Sequence, residues 1–91
     1  MKFEWHEDKR QKNLEKHGLD FADVEEVFES DTVTIEDNRS YYGEERWITL
    51  GTLRGLVVLV VHTEQDETIR VISFRKASKH EQKIYFSQFE D

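Results

Sequence analysis

The sequence contains no cysteine and no proline, one methionine and four glycines. Without cysteine there is neither a disulfide framework nor a thiolate metal site, which fits a reducing compartment, and a cytoplasmic location is expected. Without proline, and without any Gly/Ser-rich or low-complexity tract, nothing reads as a linker. Residues 1–91 are therefore read as a single domain near the lower size limit for one hydrophobic core. The strongest apolar run, Leu56–Val61, is far short of the roughly 20 residues a membrane-spanning helix needs, so no membrane partner is expected. Met1-Lys2-Phe3-Glu4 leads into a charged segment and not into an apolar leader. There is no Gly-rich phosphate loop and no G-x-S-x-G elbow. His6, His17, His62 and His80 have no spacing that suits a metal, and no metal or other cofactor is expected.

Charge of one sign dominates, with a formal net charge of −7. That argues against a general nucleic-acid binder. The imbalance is local, however. Residues 1–45 carry six Lys/Arg against fourteen Asp/Glu, and residues 46–91 carry seven against six. The acidic half reads either as a solvated helical surface or as a face that meets a basic partner.

The chain is organised around Leu56–Phe89. LVVLVV (56–61) is a strand buried on both faces. Asp66 and Glu67 mark a turn, and Ile69–Lys76 is its hairpin partner. Ser78-Lys79-His80-Glu81 is a capping box, so a helix begins just after Ser78 and presents Tyr85, Phe86 and Phe89 to the core. Upstream, Phe3 and Trp5 alternate with charged neighbours in an extended segment. Asp8–His17 is helix-compatible, with Leu14 as its apolar anchor and Gly18 as the left-handed residue that ends it. A second helix follows, with Asp20 as N-cap and Phe21, Val24 and Phe28 on one face. Thr32–Glu36 and Glu45–Thr52 are further strands, separated by the polar loop DNRSYYG (37–43). The expected fold is α+β: two N-terminal helices, a four-stranded antiparallel meander with Leu56–Glu64 internal, and a C-terminal helix. The helices should cover one face of the sheet, leaving the other to polar residues or a partner.

Arg46, Arg70, Arg75, Lys76, Lys79 and Lys83 concentrate positive charge around the hairpin and the last helix. Arginine forks suit phosphate because they offer paired donors in one plane. The competing reading is a surface ion pair of Arg70 with Glu64 or Glu45. In a regular strand, Arg70 and Ile72 share one side, and Ser73 and Arg75 the other. His62 reads either as a hydrogen-bonded core histidine or as a base. Tyr41 and Tyr42 could stack bases or form part of a protein interface. The aromatic content (Trp5, Tyr41, Tyr42, Trp47, Tyr85, Phe86, Phe89) exceeds what so small a core needs, so an exposed apolar patch is expected.

FEWHEDKRQKNLEKHGLDFADVEEVF (3–28), YGEERWITLG (42–51) and VVHTEQDETIRVISFRKASKHEQKIY (60–85) resemble the BrnT toxins of type II toxin–antitoxin systems along nearly the whole chain. The resemblance implies a RelE-like fold and a metal-independent endoribonuclease that inhibits translation. It implies a BrnA-type antitoxin that binds and silences the toxin in a hetero-oligomer and supplies the contact with DNA. It places the polar site at Arg46, Glu64, Arg70, Arg75, Lys76 and Tyr85. The implied roles are charge stabilisation by the three arginines, Glu64 as base, and Tyr85 or Lys76 as acid. Tyr41, Tyr42, Lys79 and Lys83 are the candidates for RNA contact. The alternative is a non-catalytic module that only binds its antitoxin.

Overall fold

A computed structural model describes residues 1–89. The elements in chain order are β1 (Lys2–Glu4), α1 (Glu7–His17), a 3-10 turn (Phe21–Asp23) running into α2 (Val24–Phe28), β2 (Val33–Glu36), β3 (Trp47–Leu53), β4 (Leu56–Gln65), β5 (Thr68–Lys76) and α3 (Lys79–Ser87). The strands form one five-stranded sheet in the order β1-β5-β4-β3-β2. β4 is therefore central, as its aliphatic run demands. Among the described residues, no helix is long and apolar enough to cross a membrane.

The sheet departs from the expected four antiparallel strands. The extended segment around Phe3 is a fifth strand, lying parallel to β5 with Phe3 opposite Ile69. The sheet is therefore mixed, because α1 and α2 carry the chain from this edge to the far one. The remaining pairs are antiparallel. Both hairpins turn through two residues of positive φ, Arg54-Gly55 and Asp66-Glu67, the backbone pattern that matches the twist of the flanking strands.

Helices cover both faces, and not one as expected. On one face, Phe21, Val24 and Val27 pack on Leu53, Val58, Val60, Ile69, Val71 and Phe74. On the other, α3 lays Tyr85 and Ile84 against Ile48, Leu50, Val57, Leu59 and Val61. The capping box starts α3 as read: Ser78 Oγ accepts from the Glu81 amide at 3.1 Å, and Glu81 Oε1 accepts from the Ser78 amide at 2.8 Å. Gly18 ends α1 with φ 71°. Phe86 and Phe89, expected in the core, are 52% and 50% exposed, and only Tyr85 of that trio is buried.

α1 is anchored by a polar residue. Leu14 is exposed, while Asn13 is buried. The Asn13 side chain accepts from the Phe74 amide at 3.0 Å and donates to the Phe74 carbonyl at 2.7 Å. It thus behaves like one more residue of a neighbouring strand where β1 has ended, and it closes an otherwise open sheet edge.

Candidate active site on the α3 face of the sheet

The local register of β5 decides which side chains meet. Val61 lies opposite Ser73, but His62 lies opposite Val71, so Ile72 is an extra residue in β5. Such a bulge reverses the alternation on one side of it. Arg70 lies opposite Thr63, and Arg75 opposite Leu59. Cross-strand partners share a face, and Leu59 belongs to the core under α3. Arg70 and Arg75 therefore project from the same face, contrary to the expectation for a regular strand. Arg46 joins them, because it precedes Ile48 and Leu50 by even steps, and those residues also lie under α3.

The loop between β2 and β3 brings a carboxylate to two of these arginines. Glu44 accepts from Arg70 Nη2 at 2.7 and 2.8 Å and from Arg46 Nε at 3.1 Å. The Arg46 guanidinium lies 4.2 Å from the centre of the Tyr42 ring, a cation–π contact that fixes its plane. Arg70, and then Arg46, hold the Glu44 carboxyl below the usual range, so it is ionised. The ion-pair reading of Arg70 is thus correct in kind, but its partner is Glu44 and neither Glu64 nor Glu45. Glu44 was missed because nothing in GEER singles it out from Glu45; only the fold of the loop does.

Arg75 is tied down differently. Its Nη1 and Nη2 each donate to a Glu81 oxygen at 2.8 Å. Arg75 and the Ser78 amide together hold the Glu81 carboxyl at a pKa of about 2. This fork ties β5 to the first turn of α3. Arg39, another residue the sequence reading passed over, lies close enough to oppose the charge of Arg75. Its own partner is Asp37, whose oxygens accept from Arg39 Nε at 2.8 Å and Nη2 at 2.9 Å. Among the described residues, four guanidiniums and three carboxylates therefore surround this face.

The other named residues are distributed as follows. Glu64 pairs with Ile69, which is buried on the opposite face, so its carboxylate does not face the arginines. Tyr85 is buried, and its hydroxyl donates to the Asp31 carbonyl at 2.8 Å. Burial raises its pKa. Lys76 is exposed at the end of β5 and lies opposite Val58, which is buried under the N-terminal helices, so it projects from the face opposite the arginines, contrary to its expected place in the polar site. Lys79 and Lys83 flank a shallow groove on α3 with Gln82, Phe86 and Ser87. Tyr41 is 95% exposed. His62 is wholly buried on the α1/α2 face, with Nε2 2.7 Å from Thr49 Oγ1 and its ring edge against Phe28. Desolvation lowers its pKa, so it is a neutral core histidine.

A family model described as "Ribonuclease toxin, BrnT, of type II toxin-antitoxin system" matches residues 5–81. The chain belongs to the BrnT family. The match runs from Trp5 in the cavity beside Arg70 to Glu81, the partner of Arg75, so the whole arginine face lies within it. Membership makes the chain a ribonuclease toxin with an antitoxin as protein partner. A search of curated protein sequences finds no match.

Proposed function

We propose that this BrnT toxin cleaves RNA without a metal ion, by attack of the RNA's own 2′-hydroxyl on the adjacent phosphate, and that the cleavage inhibits translation in the cytoplasm. The observation that carries this reading is that Arg46, Arg70 and Arg75 project from one sheet face, Arg46 and Arg70 onto a single carboxylate. Metal-free phosphoryl chemistry needs preorganised positive charge around the phosphorus in the transition state, and guanidiniums held by Tyr42, Glu44 and Glu81 supply it. In this reading exposed Tyr41 stacks a base, Tyr42 sits beneath Arg46, and Lys79 and Lys83 extend the track for the RNA backbone. A RelE-like origin agrees with a sheet that presents arginines beside a C-terminal helix.

The antitoxin, in this reading of the BrnA type, covers the α3 surface where Phe86 and Phe89 are half exposed beside Lys79 and Lys83. An acidic segment with apolar anchors would suit that surface. It would mask the cations together with the apolar patch, and contact with DNA would come through the antitoxin.

The test is cleavage of RNA by the purified protein in excess EDTA, with 2′-deoxy RNA analogues as control. Cleavage that persists in EDTA and stops on 2′-deoxy substrate is expected, as is growth arrest on expression that the antitoxin reverses. Loss of cleavage in EDTA would refute the metal-free mechanism. A second reading, a module that binds antitoxin without catalysis, is favoured by one observation: each arginine of the face already holds a carboxylate. Under that reading, neither growth arrest nor cleavage occurs, while antitoxin binding remains.

A further inference from the structure

We infer that Glu44 is the proton acceptor of this site, the residue that takes the proton from the attacking 2′-hydroxyl of RNA. The inference rests on the ribonuclease reading and names a residue that neither the sequence nor the family description assigns.

Among the described residues, several groups near the arginines could in principle accept a proton. The Asp37 side chain is fully buried and fixed by Arg39. Glu81 has both oxygens engaged by Arg75 and one also by the Ser78 amide, where it closes the cap of α3. The Tyr85 hydroxyl donates to the Asp31 carbonyl in the core. His62 and Glu64 lie on the opposite side of the sheet. Glu44 differs from all of these: it touches two of the arginines and keeps a third of its side chain open to solvent.

The donors left over complete the geometry. Among the described residues, Glu44 takes only Nη2 of Arg70 and Nε of Arg46. The remaining N–H groups of both guanidiniums have no protein partner there. A phosphate docked on those free donors lies beside the carboxylate without displacing it. The 2′-oxygen attached to the same ribose is then within reach of Glu44, as a general base requires. In the step itself, Glu44 takes the 2′-OH proton and the 2′-oxygen bonds to phosphorus. The P–O5′ bond breaks, the departing O5′ takes a proton from water, and the hydroxide left behind takes up the proton held by Glu44, which restores the carboxylate. The products are a 2′,3′-cyclic phosphate and a 5′-hydroxyl end, with no change of oxidation state. Arg46 and Arg70 meet the charge that moves from the carboxylate to the phosphorane oxygens. As the phosphate draws on the guanidiniums, their hold on Glu44 weakens and its basicity rises.

The experiment compares wild type with Glu44→Gln and Glu44→Asp. Cleavage is followed on a pool of short single-stranded oligoribonucleotides, alone and in a coupled translation reaction. Binding is followed by fluorescence anisotropy of the matching 2′-deoxy pool, and folding by thermal melting. Glu44→Gln should lose roughly 10²- to 10⁴-fold in cleavage rate. Its affinity for the 2′-deoxy pool should stay equal or rise, because a negative charge has left the arginines. Glu44→Asp, which keeps the carboxylate on a shorter arm, should retain more activity than Glu44→Gln. Cleavage by Glu44→Gln at the wild-type rate or faster would overturn the inference and leave the ribonuclease reading intact, making Glu44 a counter-ion that RNA displaces. Parallel loss of binding and cleavage in Glu44→Gln would also overturn it, since Glu44 would then only position the arginines. A wild-type protein that cleaves in neither reaction would remove the ribonuclease reading and the inference together.

Discussion

Replacing Asn13 by alanine should be among the most damaging single changes outside the apolar core, although the residue is polar and sits in a helix rich in charge. Its side chain makes three hydrogen bonds, two with the backbone of Phe74 and one, at 3.1 Å, to the Leu19 carbonyl. Alanine strands the Phe74 amide and carbonyl beside a side chain with no exposure at all. An orphaned buried backbone group costs about 1–3 kcal/mol, so the pair costs about 2–5 kcal/mol with partial relaxation. A domain of this size has on the order of 5–14 kcal/mol in total. With a shift of roughly 4–8 °C per kcal/mol, Tm should fall by at least about 8 °C. Asn13→Asp should be worse than Asn13→Ala at neutral pH, because a carboxylate would face the Phe74 and Leu19 carbonyls, which both accept. Leu14→Ala, one residue along and exposed, should change Tm little. The assay is urea and thermal denaturation followed by circular dichroism. An Asn13→Ala protein within 3 °C of wild type, or a Leu14→Ala protein less stable than it, would refute the view that a side-chain amide joins α1 to the sheet.

Three further outcomes are expected. The folded-state pKa of His62 is lowered by burial, so its stabilising contribution is complete above the unfolded value near 6.5 and declines as pH falls below it; stability should drop by up to about 1.4 kcal/mol per pH unit as pH falls below about 6, and a folded His62→Gln variant should lose that slope. Gly51→Ala would place a methyl group 2.9 Å from Val27 Cγ1 and 3.0 Å from Ser30 Oγ, so chemical denaturation should show a loss of about 1–3 kcal/mol from overpacking. Arg75→Ala should lower both RNA cleavage and stability, the latter by about 1–2 kcal/mol after allowance for partial exposure, because the Glu81 fork is lost, whereas Arg70→Ala and Arg70→Lys should impair cleavage by roughly 10²- to 10³-fold with little change in Tm; equal effects of Arg70→Ala and Arg75→Ala on melting would contradict the distinction.

These contrasts show which parts of the molecule local pattern could reveal. β4 was legible because six consecutive aliphatic residues can be satisfied only in the middle of a sheet. The cap at Ser78 and the left-handed Gly18 were legible because their chemistry is complete within a few residues. β1 was seen as extended, but three residues hold no information about a partner 66 positions away, so the parallel pairing and the fifth strand were not deduced. Asn13 escaped for the same reason: its value comes from Phe74, across the whole fold. The site was legible as a set of arginines and illegible as an arrangement. Alternation alone puts Arg70 and Arg75 on opposite faces; one extra residue at Ile72 puts them on the same face. The bulge follows from packing. Phe74 and Val71 are both buried under the N-terminal helices, and Ile72 packs toward α3. A regular strand would carry Phe74 to the α3 side and open the core beneath α2. The same hydrophobic demand that keeps Phe74 inside therefore turns Arg75 to the face of Arg70, so the composition of the core determines which charges share a surface. Deleting Ile72, the extra residue, leaves Arg70 and Arg75 four positions apart in a regular strand, so both should stay on the α3 face with Val71 and Phe74 still inside, and cleavage should persist if the sheet re-forms; loss of cleavage in a deletion variant that melts like the wild type, both measured on the same sample, would refute this account of the bulge.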